Sequence, residues 1–214
     1  MTTPKTTFAS LPLIAALCAG FILVLTACTD ERARTGAEFN AGVTAYEQGD
    51  YATALREWRP LAKQGNAGAQ NNLGVMYSNG RGVPQDYAKA VEWYRKAAEQ
   101  GYADAQYNLG VMYDHGRGVP QDDAEAVGWY RKAAEQGYAK AQFNLGNMYI
   151  LGLGVPLDYA QAHMWYNLAT SRYPPGEDRD RVVKNRDIIA KMMTPAQISE
   201  AQKLAREWTE KHGK

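Results

Sequence analysis

The sequence predicts an all-α fold, a solenoid of repeated helix pairs, and three observations carry the prediction. Residues 69–104 are copied at 105–140 with only seven of thirty-six positions changed. A third copy, 141–176, keeps the skeleton and drifts in detail. Within each copy, small and apolar residues recur at helical spacing on both sides of a loop rich in glycine. A repeat of this period makes a unit that buries its apolar face only against its neighbours. Such an array moves the functional question from a catalytic pocket to a surface.

Residues 1–27 read as an export signal. MTTPKTTFAS carries one basic residue, Lys5, and Leu11 to Thr26 is almost wholly apolar. That run is short of the ~20 residues a spanning helix needs. It ends at Leu25-Thr26-Ala27-Cys28, which resembles the bacterial lipobox, and the resemblance implies that Cys28 is acylated and becomes the mature N-terminus. Cysteine use agrees with this. Cys18 leaves with the signal, so Cys28 remains alone and no internal disulfide can form. Residues 28–37 are polar, with mixed charge, and are expected to be a tether. By the enterobacterial sorting rule, Thr29 rather than Asp after the cysteine favours the outer membrane over the inner. The expected location is therefore the bacterial envelope, with a lipid anchor and the chain facing the periplasm.

Residues 38–68 form a near-copy. From Asp50 onward they align at the common period, but the glycine-rich loop is missing and the turn at Gln48-Gly49-Asp50 is tight. The unit is close to a tetratricopeptide repeat, and an atypical end unit is what a cap requires. In the full copy, Ala69 to Tyr77 is the first helix. Gly74 in its middle costs ~1 kcal/mol against Ala, so a close approach by the partner helix is expected there. Gly80 and Gly82 end the helix, Pro84 blocks its continuation, and Asp86 suits the N-cap of the second helix. Ala90, Trp93, Ala97 and Ala98 then fall at helical spacing, as large aromatics facing small alanines. Residues 177–214 are expected to add two helices as a C-terminal cap. Val182, Val183, Ile189 and Met193 give the first an apolar side, and Thr194-Pro195-Ala196-Gln197 matches a capping box ahead of the second. Its stripe is Ile198, Ala201, Leu204, Ala205 and Trp208.

The pattern A-x-x-x-L-G-x-x-Y, G-x-G-V, then D-x-x-x-A-x-x-W-Y-x-x-A-A-x-x-G resembles the Sel1-like repeat, a relative of the tetratricopeptide repeat with a longer inner loop. The match covers 69–104, 105–140 and 141–176, with a partial unit before them. The third unit departs at Asn167-Leu168-Ala169-Thr170 and Tyr173-Pro174-Pro175, where the array ends. The resemblance implies an all-α, right-handed α/α solenoid of Sel1-like repeats with helical caps, serving as an adaptor. Some cysteine-rich members of the family are described as binding or hydrolysing β-lactams. Those members staple each repeat with a disulfide, which this chain cannot do.

Chemistry-bearing patterns are few. No serine among Ser10, Ser78, Ser171 and Ser199 is followed three residues later by Lys, so the S-x-x-K signature is absent. His115, His163 and His212 are not one period apart, and there is no C-x-x-C, so no metal site is expected. GRG at 80–82 and 116–118 has neither dinucleotide nor P-loop spacing. No cofactor and no catalytic residue are expected. The chain has 24 basic and 23 acidic residues. Lys5 is the one charged residue of 1–27, so the mature chain is formally neutral and has no basic excess for nucleic acid. The recurring Trp-Tyr pairs 93/94, 129/130 and 165/166 are expected in the core, and Asn72, Asn108 and Asn144 are expected to bond neighbouring backbone.

Positions that vary on one helical face are the recognition candidates. These are Asn71, Val75 and Ser78; Tyr107, Val111 and Asp114; and Phe143, Asn147 and Ile150. In the related tetratricopeptide fold the corresponding face lines a concave groove. Tyr107 and Phe143 would be its aromatic anchors, the type that dominates interface energetics. The main expectation is a membrane-anchored scaffold binding an envelope protein or peptide in that groove. The alternative is a binder or hydrolase of small molecules related to the cell wall, by analogy with the cysteine-rich relatives.

Overall fold

The structure is a computed structural model that describes residues 34–212. The export signal, the acylation of Cys28 and most of the expected tether lie outside the described residues. The tether's last stretch, 34–37, is helical and opens α1 (34–47). The described residues divide into two compact units, 34–57 and 58–212.

In the first unit, α1 closes at a turn where Gly49 takes φ 81°. Asp50 then caps α2 (Tyr51–Lys63), its carboxylate accepting from the Thr53 N–H at 3.0 Å. Tyr46 and Tyr51 meet edge to face across the turn, centroids 5.4 Å apart. The helix α2 runs from the first unit into the second.

In the second unit the helix pairs are α3 (Ala67–Asn79) with α4 (Tyr87–Glu99), α5 (Ala103–Asp114) with α6 (Asp123–Glu135), and α7 (Ala139–Leu151) with α8 (Tyr159–Arg172). Two further helices follow, α9 (Glu177–Ala190) and α10 (Pro195–His212). The described residues contain no strand. The result is an all-helical stack of repeat pairs. The structural unit starts two residues earlier than the copy frame, because Asn66 caps α3 by accepting from the Ala69 N–H at 2.8 Å. Asp86, Asp122 and Asp158 cap the second helices in the same way, each accepting from the N–H three residues on.

Each pair is locked by a glycine and a tyrosine. The mid-helix Gly74, Gly110 and Gly146 face the rings of Tyr94, Tyr130 and Tyr166. A Cβ on any of them would come within 2.6–2.7 Å of ring carbons. The close approach of the partner helix expected at Gly74 is thus made through the Tyr94 ring of α4. The expected core role of the Trp-Tyr pairs is corrected. Tyrosine is the buried member, while Trp93 and Trp129 are half-buried with Lys96 and Lys132 ammonium groups 4.5 and 3.8 Å from their ring centres. Trp165 is buried because Trp208 of α10 covers it, centroids 6.3 Å apart.

Successive repeats are joined through loops and glutamines. Gly118 (φ 74°) and Gly154 (φ 66°) sit directly on the backbone of Tyr87 and Asp123, where a Cβ would clash. So the loop of one repeat rests on the start of the second helix before it, which only glycine permits. Buried Gln70, Gln106 and Gln142 donate to the carbonyls of Ala62, Ala98 and Ala134 at 3.0–3.1 Å. Gln100 and Gln136 in turn donate to Gln70 and Gln106 at 2.7 Å. The series breaks at the third step. Arg172 stands one period after Gln136, and the buried Gln142 Oε1 has no partner.

Both terminal helices pack on α8. Val182, Ile189 and Met193 are buried from the α9 side, and Ala201 from α10. The capping box before α10 is formed. Thr194 N–H donates to Gln197 Oε1 at 2.9 Å, and Gln197 N–H donates to Thr194 Oγ1 at 3.3 Å.

Candidate recognition surface

The first helices of the repeats, α3, α5 and α7, are linked side by side through their outward asparagines. Asn108 Nδ2 donates to Asn71 Oδ1 at 3.0 Å, and Asn71 Nδ2 reaches Asn72 Oδ1 at 3.4 Å. One period on, the Asn144 side chain bonds the Tyr107 and Tyr130 hydroxyls. Asn108 and Asn144 therefore reach across to the preceding repeat, side chain to side chain. The expectation that they bond neighbouring backbone is replaced by this bridge.

The nine face residues divide by what they touch. Asn71 is buried and engaged by Asn108. Val75 and Val111 are half-buried against the cores of the first and second pairs. The Ser78 carbonyl accepts from Gln85 Nε2 at 2.8 Å. Asp114 accepts from Tyr130 Oη at 2.9 Å, and Asn147 from Tyr166 Oη at 2.5 Å. Ile150 packs on the cluster of Ala162, Tyr166 and Val182.

Tyr107 and Phe143 occupy equivalent positions and meet different surroundings. The Tyr107 ring lies 5.9 Å from Tyr130 and 5.3 Å from Tyr138. Phe143 stacks on Tyr166 at 5.6 Å, and the Arg181 guanidinium of α9 lies 5.5 Å from its centre. Both aromatics are half-buried, so each packs between elements and still shows an edge to solvent. The helix α9 flanks the third repeat where a further first helix would lie. Tyr107, in the middle repeat, is flanked instead by Tyr138 of the next repeat.

The sequence reading missed the tyrosines of the second helices as part of this face. Tyr130 and Tyr166 cross beneath the glycines and deliver their hydroxyls to Asp114 and Asn147. Tyr138 donates to Asp104 Oδ1 at 3.0 Å and adds a third ring beside Tyr107. The signal was present in the sequence: each mid-helix glycine is followed twenty residues later by tyrosine. Burial pushes these phenols up, with Tyr166 and Tyr173 reaching about 12. Tyr130 and Tyr138 rise further, through burial first and then the nearby Asp114 and Asp104 carboxylates. All of them stay neutral donors at any physiological pH. The face therefore offers the half-exposed phenols of Tyr107 and Tyr138, amides and ring edges, over buried Tyr130 and Tyr166, with Asp104 and Asp114 held inside the tyrosine network. Such a surface suits a polypeptide's backbone and apolar side chains.

Among the described residues, no three His, Cys, Asp or Glu side chains gather as a metal site, and no helix is long and apolar enough to cross a membrane.

The repeat geometry has counterparts. The Sel1 repeat family matches residues 67–102, 103–138 and 139–172, in the frame set by the helices. The chain resembles the crystal structure of a Sel1 repeat protein from Oxalobacter formigenes, at 38% identity over 68% of this chain and 56% of that one, with a TM-score of 0.63. It also resembles a protective antigen present in uropathogenic Escherichia coli strains displaying an SLR fold. There the identity is 33% over 88% of this chain and 48% of that one, with a TM-score of 0.57. The chain thus spans about half the length of these solved relatives. No curated protein matches it. With three consecutive repeats matched and stacked as helix pairs, the chain belongs to the Sel1 repeat proteins.

Proposed function

We propose that this Sel1 repeat protein is a non-catalytic scaffold that binds a partner polypeptide on the face formed by its first helices. The observation that supports this reading best is the Tyr107 cluster. In the middle repeat, where the first copy has Asn71, the half-exposed rings of Tyr107 and Tyr138 lie over the buried Tyr130 ring, with two amide-bearing neighbours beside them. Tyrosine-rich surfaces bind polypeptides well because each ring gives large contact area at little entropy cost. Acylated Cys28 would hold the scaffold at an envelope membrane, with the outer membrane favoured. The partner is then an envelope protein or one of its segments.

The test uses the full chain in detergent and an extract of native envelope. Wild type should retain one defined protein, and Tyr107→Ala with Phe143→Ala should lose it while keeping its helical circular dichroism. Equal capture by the two proteins would refute the face assignment. Metabolic labelling with an alkyne fatty acid tests the anchor: label should enter the wild type and be lost in Cys28→Ser. Label retained in the serine variant would refute acylation at that residue.

A further inference from the structure

Among the described residues, the large hydrophobic side chains left exposed gather at one edge of the third repeat. They are Leu151 (64% exposed) and Leu157 (56%) from the end of α7 and its loop, Ile188 (48%) from α9 and Met192 (60%) from the turn after it. Internal copies show that this is not a feature of the repeat as such. Where the third copy has Ile150, Leu151 and Leu157, the first has Ser78, Asn79 and Gln85, and the second has Asp114, His115 and Gln121. The loop arginines Arg81 and Arg117 are likewise replaced by Leu153. Four polar positions have become apolar in the repeat that α9 flanks, and α9 with the turn after it supplies the opposite wall.

Between the walls is a notch of about 350 Å³, lined by Ile150, Leu151, Ile188 and Met192 over a floor of Tyr166 and the amides Asn147 and Asn185. The floor is partly committed. Tyr166 Oη donates to Asn147 Oδ1 and is also bonded to the Asn185 side chain. That orients both amides while leaving each amide further hydrogen-bonding capacity. The side of α9 turned to the notch carries Arg181, which is paired with Asp178 at 2.7 Å, then Lys184, Asn185 and Ile188, with Met192 just past the helix end. Among the described residues, Lys184 is the cation on that side with no ion pair. Asp187 lies on the opposite side and is paired with Arg186 at 2.7 Å.

We infer that this notch binds an extended peptide segment that inserts one or two bulky apolar side chains and carries a carboxylate on the Lys184 side. A concave apolar wall takes a side chain, amides at its floor pair with peptide backbone, and the basic flank complements an acid. A flat lipid surface would meet only the rim of such a notch. The inference rests on the scaffold reading but places specificity at different residues from the Tyr107 cluster.

The test is a random heptapeptide library displayed on phage and selected on the full chain in detergent. Selected peptides are then measured by fluorescence anisotropy on three proteins: wild type, Leu151→Asn with Leu157→Gln, and Tyr107→Ala with Phe143→Ala. The notch pair installs the residue types of the first copy at exposed positions, so the fold is kept, and circular dichroism checks it. Expected are sequences joining Leu, Ile or Phe to Asp or Glu, bound roughly tenfold or more weaker by the notch pair. Lys184→Gln should weaken them further and flatten their salt dependence. Selection of basic peptides, of none, or of peptides that bind the notch pair equally would overturn the proposal. So would apolar-edge-dependent binding to phosphatidylglycerol vesicles, or apolar-edge-dependent self-association in sedimentation, without peptide binding. If native-partner capture fails only with the Tyr107–Phe143 pair while selected peptides ignore the notch pair, the notch is wrong and the scaffold reading stands. If peptide binding fails only with the notch pair while capture ignores Tyr107 and Phe143, the notch stands and the assignment of the first-helix face is wrong.

Discussion

Gly110→Ala and Gly128→Ala make the same chemical change on helices of one repeat, and the structure assigns them opposite signs. In a helix interior, Ala is favoured over Gly by ~1 kcal/mol. At Gly128, on α6, an added Cβ meets nothing within 4 Å, so the full propensity gain of ~1 kcal/mol should appear. At Gly110, the Cβ would lie 2.7 Å from two ring carbons of Tyr130. That ring is fully buried and cannot swing freely, because Tyr107 packs on it and its hydroxyl donates to Asp114 at 2.9 Å. Overpacking a tight core costs roughly 1–3 kcal/mol. A ring shift that breaks the bond to a carboxylate adds about 1.5–3 kcal/mol. After subtracting the propensity gain, Gly110→Ala should destabilise by about 1.5–5 kcal/mol. Urea unfolding of both variants, followed by circular dichroism, reads the two signs as midpoints above and below wild type. If Gly110→Ala matches or exceeds Gly128→Ala in stability, the glycine–tyrosine lock is refuted, and with it the account of how the hydroxyls reach the recognition face.

Three further outcomes follow from places where the third repeat departs from the first two. Arg172→Gln should restore the glutamine series by giving the buried Gln142 Oε1 a donor, raising stability by about 1 kcal/mol despite the loss of a guanidinium 6.0 Å from the Trp208 ring. A lowered melting temperature would contradict this. His163 is buried with an unpartnered Nδ1 at the place held by Val91 and Val127 in the earlier copies. Burial first, and then Arg186 of α9, hold its pKa below the usual 6.5, while Asp187 opposes them weakly. A depressed histidine costs the fold nothing above 6.5 and destabilises it as pH falls from there through its folded value. His163→Val should therefore lessen the fall in melting temperature between pH 7.5 and pH 5; an unchanged fall would contradict it. Trp208→Ala should unseat α10 from α8, costing about 3 kcal/mol and exposing the buried Trp165, seen as a red shift of indole fluorescence.

Much of the fold was legible because the chain carries its own alignment. The helix pairs, the aspartate N-caps and the glycine stops recur in phase, and each has a local cause. What escaped the sequence depends on rotation of one helix against another. Whether Trp93 or Tyr94 faces Gly74 is a matter of about 100° of helix phase, and both are plausible core residues. Likewise, Asn108 reaches Asn71 rather than backbone because adjacent first helices sit close enough for amide to meet amide. Phe143 looked equivalent to Tyr107 by position, and only the placement of α9 shows that Phe143 has the Arg181 guanidinium beside it where Tyr107 has the Tyr138 ring of the next repeat. The substitution of Leu151 and Leu157 for polar residues was visible by comparing the copies. Its meaning required the opposite wall, formed by Ile188 and Met192 from a segment outside the repeats.

The most direct test of the scaffold reading is photo-crosslinking in intact cells, with a benzophenone amino acid placed at position 107 or, as a control, at the exposed position 92 on the second helix of the first repeat. The account predicts one light-dependent adduct of defined mass from position 107, lost when Phe143→Ala is added, and none from position 92. Equal adducts from both positions, or adducts from position 92 alone, would contradict it.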